Sequence, residues 1–326
     1  MGDFRITRRD SLISVGATAA GLVTWGGQPR SAAASQPGAA PQRVLRVAHL
    51  TDIHVQPERR AADGMVACLH HVQELADRPD LIITGGDSVM DSMAADDART
   101  QAQWDIWNTA MKNECAIPVR SCIGNHDVWG WVKSRSRTTG EEPLWGKKRA
   151  IEMLHLDDRY YSFSQAGWKF IVLDSVQPPA DGGDGYTACL DDAQYDWLMR
   201  TLRDTPAEMP VFIVSHIPIL SATLLIWRPD EHGNTLVGNS ALHTDRLRLK
   251  NLFAQHPNVK LCVSGHIHLL DRVDYNGVSY FCNGAVCGDW WKGRHVDCDE
   301  GYAILDLYDD GSFAHQYVKY GWRADA

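Results

Sequence analysis

Five apolar runs in this chain each end in a short cluster of Asp, Asn or His, and that arrangement limits the possible folds more than any other feature. Residues 44–50 lead into Thr51-Asp52-Ile53-His54, 81–84 into Gly85-Gly86-Asp87-Ser88, and 119–123 into Gly124-Asn125-His126-Asp127. Residues 211–214 lead into Ser215-His216-Ile217-Pro218, and 261–264 into Gly265-His266-Ile267-His268. Together with a sixth run at 170–173, these read as buried strands. Helical patterns lie between them, near 59–77, 96–113, 191–204 and 242–255. Strand and helix in alternation predict a largely parallel sheet covered by helices. Open sheets of that kind carry their sites at the carboxyl ends of the strands, where all five clusters fall.

The last part of the chain reads differently. Strands are expected at 272–275, 278–283, 302–308 and 313–320, with turns at Asn276-Gly277 and Asp309-Asp310-Gly311, which describes antiparallel hairpins. An α/β sandwich of two sheets packed face to face, with helices outside, houses both halves. A single domain over residues 43–326 is within the usual size of layered α/β enzymes.

Ahead of that domain, Thr7-Arg8-Arg9-Asp10-Ser11-Leu12-Ile13, an apolar run from Leu12 to Trp25 and Ala32-Ala33-Ala34 resemble a twin-arginine export signal over residues 1–34. Residues 35–42 have the Pro, Gly and Ser content of a linker. The mature protein is expected outside the cytoplasm, periplasmic or extracellular, without a stable membrane span, since no stretch reaches the roughly 20 apolar residues a bilayer needs. A net charge of −9 supplies no positive field for a nucleic-acid polymer. The eight cysteines contain no CxxC pair, which argues against a zinc ribbon, and buried free thiols are expected in preference to one bridge among Cys282, Cys287 and Cys298.

Asp-x-His and His-x-His put two side chains on one side of an extended segment, so each pair can grip one metal region. Flanking glycines let the backbone turn beside a crowded centre. Imidazole with carboxylate and amide oxygen suits Mn, Fe or Zn better than Ca or Mg. Any one motif alone is a common surface turn. Five in sequence, each closing a strand, are not explained that way.

In order and residue type the set resembles the calcineurin-like metallophosphoesterases over about residues 44–283. The resemblance implies a four-layer αββα sandwich of two mixed sheets and a centre of two transition metal ions. Asp52, His54 and His268 would bind one ion, Asn125, His216 and His266 the other, and Asp87 would bridge them. It further implies hydrolysis of a small phosphate ester by a bridging hydroxide. His126 would stabilise the transition state or protonate the leaving alkoxide, with Asp127 orienting its ring. Met90 stands where purple acid phosphatases carry a Tyr, which argues against that subgroup, and Gly124-Asn125-His126-Asp127 in a short export-type chain looks more like the bacterial phosphodiesterase and cyclic-nucleotide phosphodiesterase branch. A phosphodiester of cyclic-nucleotide or glycerophosphodiester type is therefore expected. The alternatives are a phosphomonoesterase of the same fold and a non-catalytic exported binding protein.

Trp129, Trp131, Trp145, Trp227, Trp290 and Trp291 fall in segments expected to overhang the site, either as a substrate rim or as packing under long loops. Lys133, Arg135, Arg137, Lys147 and Lys148 read as a solvated loop, and His295 has no assigned role.

Overall fold

The computed structural model describes residues 40–226 and 229–324, so the expected signal, most of the expected linker and Trp227 lie outside the described residues. Strands β1 (Arg43–Leu50), β2 (Leu81–Thr84) and β3 (Val119–Ser121) run parallel, connected through helices α1 (Ala61–Glu74) and α2 (Asp97–Glu114). Two short helices, α3 (Lys133–Ser136) and α4 (Lys147–Met153), lead to the hairpin of β4 (Tyr161–Gln165) and β5 (Trp168–Leu173). A small ribbon of β6 (Val176–Gln177) and β7 (Thr187–Ala188) precedes α5 (Asp192–Asp204), β8 (Val211–Ser215), α6 (Arg246–Ala254) and β9 (Val259–Ser264). The chain closes with β10 (Asp271–Tyr275), β11 (Val278–Cys282), β12 (Gly301–Tyr308) and β13 (Phe313–Lys319).

These strands build two large mixed sheets, ordered β13-β12-β1-β2-β3 and β10-β11-β9-β8-β5-β4. The two C-terminal hairpins are present as expected, but they join different sheets. β11 pairs parallel with β9, whereas β12 pairs antiparallel with β1.

Alternation along each strand sorts the core into layers, because successive side chains leave opposite faces. Leu45, Val47, Leu81 and Ile83 meet Phe170, Val172, Phe212, Val214, Leu261 and Val263 between the sheets. Ala48, Leu50 and Ile82 face the other way, onto Met65, Cys68 and Leu69 of α1 and Trp104 of α2. On the far side, Ile171, Leu173 and Ile213 pack with Leu198 and Leu202 of α5 and Leu249 and Phe253 of α6. Helix, sheet, sheet, helix is thus the layer order, the αββα sandwich expected. The helix starts are chemically marked: Asp96 accepts from Arg99 N and Asp191 from Gln194 N.

All eight cysteines are free, and six of them are buried. Among the described residues no helix is long and apolar enough to cross a membrane.

Candidate metal centre

The five clusters follow the carboxyl ends of β1, β2, β3, β8 and β9, all on one edge of the sandwich. The pairs after β1 and β9 do not converge through strand alternation as expected. Asp52 and His54 have φ of 53° and 48°, Asp87 has 53°, and His266 and His268 have 72° and 58°. Each pair converges through left-handed turns instead of through the pleat. A non-glycine residue in this region costs about 1–3 kcal/mol, and such strain gathers at functional sites. Hydrogen bonds hold the turns together, from Asp52 N to Gly86 O at 3.1 Å and from His54 N to Asp87 O at 2.9 Å. The Asp52 carboxylate accepts from His266 N at 2.9 and 3.0 Å, which locks the first cluster to the last. Two glycines are needed for close approach: a methyl group at Gly124 would overlap Asp87, and one at Gly265 would overlap Asp52.

The seven residues expected as ligands meet in one buried or near-buried cluster. Asp87 Oδ2 lies 3.6 Å from His54 Nε2 and 3.2 Å from His216 Nε2. On the first side, His54 Nε2 is 3.1 Å from His268 Nε2, which is 3.4 Å from Asp52 Oδ1. On the second side, His216 Nε2 is 3.1 Å from Asn125 Oδ1, and Asp87, His216 and His266 offer donor atoms within 4.8 Å of one another. Asp87 therefore stands between the two ligand groups.

Backbone carbonyls set which ring nitrogen faces the cluster. His216 Nδ1 donates to Gly85 O at 2.9 Å, His268 Nδ1 to Gly288 O at 2.6 Å, and His266 Nε2 to Ser240 O at 3.0 Å. The other nitrogen of each ring is left to the centre, the arrangement metal-ligating histidines use. His216 Nε2 thereby faces Asn125 Oδ1 at 3.1 Å and Asp87 Oδ2 at 3.2 Å, one imidazole, one amide oxygen and one carboxylate turned to a single point. The donor set fits two transition metal ions on this ground.

Without metal the cluster holds protons in their place. Burial opposes charge on His216, but Asp87 outweighs it and holds the ring up at about 9. Burial likewise opposes charge on His268, and Cys287 and Asp52 hold it well above the ordinary range. Burial would raise both carboxylates; His268 keeps Asp52 below its usual range and His216 does the same for Asp87. One protonated imidazole thus falls in each ligand group. Burial, then His216, pushes His266 down to about 3, so that ring stays neutral.

His126 lies beside the first group, its ring 4.6 Å from that of His54 in an edge contact. Its Nδ1 donates to Met90 O. Asp127, expected to orient this ring, does not do so. Its carboxylate accepts from Ser88 N and Gly124 N, each at 2.8 Å, and from Val89 N at 3.3 Å. Burial and then Asp87 raise Asp127 to about 7. The Met90 carbonyl fills the orienting place, and Asp127 ties the His126 loop to the Asp87 loop.

The aromatic rim is mostly packing. Trp129 is buried under the Arg149 guanidinium, 4.0 Å from its ring centre. Trp291 is buried and donates Nε1 to His54 O at 3.0 Å. Trp290 does reach the site, 4.6 Å from the His268 ring. Lys147 is no solvated loop residue, since it pairs at 2.5 Å with the fully buried Asp174. The motifs did not reveal Tyr186, 6.2 Å from the His266 ring, or the His295 ring, 5.6 Å from that of His268. Cys287 also joins the cluster, and its only signal was the aromatic-rich segment 284–293 that carries it.

Residues 45–270 match the calcineurin-like phosphoesterase family. This chain belongs to that family. It is a metal-dependent phosphoesterase, a hydrolase. It is 26% identical over 291 residues to the 3',5'-cyclic-nucleotide phosphodiesterase alr5338 of Nostoc sp., covering 82% of this chain and 90% of that one. It is 24% identical over 280 residues to the 3',5'-cyclic adenosine monophosphate phosphodiesterase CpdA of Escherichia coli, covering 82% and 87%. Its fold is similar to that of a dimetal phosphatase from Danio rerio, with a TM-score of 0.59 at 16% identity over 86% of this chain and 98% of that one.

Proposed function

We propose that this phosphoesterase hydrolyses phosphodiesters at a two-metal centre, with Asp52, His54 and His268 holding one ion, Asn125, His216 and His266 the other, and Asp87 shared. The observation that carries this reading is the position of Asp87, whose Oδ2 stands 3.6 Å from the first histidine group and 3.2 Å from the second. A bound ion pair supplies positive charge against phosphoryl oxygens and acidifies water within its reach. The chain's own residues do the rest. Carbonyls of Gly85, Ser240 and Gly288 fix three ligand rings before any ion arrives, so little reorganisation accompanies catalysis. His126, held by Met90 O, keeps its Nε2 available to donate a proton to the departing alkoxide.

The relatives named as cyclic-nucleotide phosphodiesterases support a diester, of cyclic-nucleotide or glycerophosphodiester type. Metal-free protein reconstituted with Mn, Fe or Zn is tested on 3',5'-cyclic AMP, a glycerophosphodiester, an aryl diester and an aryl monoester. Diester turnover above monoester turnover is expected. Preference for the monoester would make the enzyme a phosphomonoesterase, and no hydrolysis in any metal form would overturn the reading. Export through residues 1–34 is a further part of the proposal, supported by Arg8 and Arg9 in their sequence setting. Replacing both with Lys is expected to retain the protein in the cytoplasm; unchanged export would contradict it.

A further inference from the structure

The loop after β11 brings to the first ligand group a sulfur that the five motifs do not contain. Cys287 is fully buried. Its Sγ, one ring nitrogen of His54 and one of His268 lie within 4.8 Å of one another. Zinc bonds sulfur at about 2.3 Å and nitrogen at about 2.0–2.1 Å, so donors on one ion stand up to about 4.4 Å apart. The three donors are therefore close enough to one another to be drawn onto one cation.

The sulfur is held in place by its own loop. Cys287 N donates to Asp52 O at 3.3 Å, and Trp291 N donates to Cys287 O at 2.8 Å. Gly288, Trp290 and Trp291, with φ of 57°, 50° and 67°, turn the chain tightly after it. A second observation marks the same place: the His268 ring is in side-chain hydrogen-bond contact with Cys287. Cys287 Sγ also makes a long hydrogen bond to Gly288 O at 3.6 Å.

We infer that Cys287 is a sulfur ligand to the ion held by Asp52, His54 and His268, and that it biases this position towards zinc over manganese. Forming the sulfur–metal bond releases the thiol proton to water and places a sulfur electron pair on the ion. Thiolate selects zinc, whereas manganese is better served by oxygen ligands. The inference rests on the ligand assignment proposed above.

Two measurements on the full chain test it. Cobalt-loaded wild type is expected to show a sulfur-to-cobalt charge-transfer band that Cys287→Ser lacks, with the same number of cobalt ions bound. Zinc affinity is expected to fall about 10-fold or more in Cys287→Ser, in the range of a lost supporting ligand, with manganese affinity little changed. X-ray absorption at the zinc edge of the wild-type holoenzyme needs no variant, and a sulfur neighbour at about 2.3 Å is expected. Bound metal with nitrogen and oxygen neighbours alone overturns sulfur ligation and leaves the two-metal reading intact. Failure to bind cobalt or zinc at all overturns both.

Discussion

Asp87 and His216 face each other at 3.2 Å, Oδ2 to Nε2, and neither is open to solvent. The carboxylate holds the His216 ring up at about 9, with burial opposing it, so near neutral pH the metal-free pair shares a proton. A cation entering this position displaces that proton. Calorimetric zinc titrations near neutral pH, run in two buffers of different ionisation enthalpy, are expected to show net proton release. Identical heats in both buffers would count against proton displacement.

The same shifts fix the pH profile of the metal-free protein. His216 has a folded value of about 9 against an ordinary 6.5, so its contribution is fully present below 6.5 and is lost as pH rises through 9. Burial pushes His49 down to about 3 and His315 down to about 4. Their contributions are present above 6.5 and fade as pH falls towards those values. Urea unfolding of chelated protein is expected to show greatest stability near pH 6.5 and a fall on both sides. A profile still rising up to pH 9 would contradict the His216 assignment.

Helix α1 supports the metal centre through one residue. A methyl group at Gly64 would overlap the Trp291 ring, and Trp291 Nε1 holds the His54 carbonyl. Gly→Ala within a helix ordinarily gains up to about 1 kcal/mol, but overpacking of this kind costs about 1–3 kcal/mol. Gly64→Ala is expected to lower stability and weaken metal binding together, read by thermal melts with and without zinc. Stabilisation with unchanged affinity would contradict the clamp.

Replacing His126 separates proton donation from metal binding. His126→Asn is expected to retain its metal content and to lose about 10²–10⁴-fold in kcat on a diester with an alkyl leaving group. The loss should be smaller for p-nitrophenolate, which departs without a proton. An equal loss on both substrates would assign His126 to phosphate binding.

Much of this site could be read in the sequence, because each ligand motif closes an apolar strand. The layer order was legible for the same reason: Leu45 and Val47 alternate with Ala48 and Leu50 between two cores. What could not be read was local backbone conformation. The left-handed φ of Asp52 and His54 replaces the extended pairing their spacing implied, because close packing at the cluster overrides strand preference. Asp127 was misread because adjacency in sequence to His126 suggested contact, while the turn aims its carboxylate at three backbone amides. Cys287 was invisible as a cluster member because β11 and its following loop come from a part of the chain with no ligand motif.

The most direct test of the two-metal assignment is a titration of metal-free enzyme with zinc or manganese, following bound metal by mass spectrometry and diester hydrolysis in the same samples. Hydrolysis is expected to rise as the second ion per chain binds and to be abolished by Asp87→Asn. Full activity with one ion per chain, or in chelated protein, would contradict the assignment.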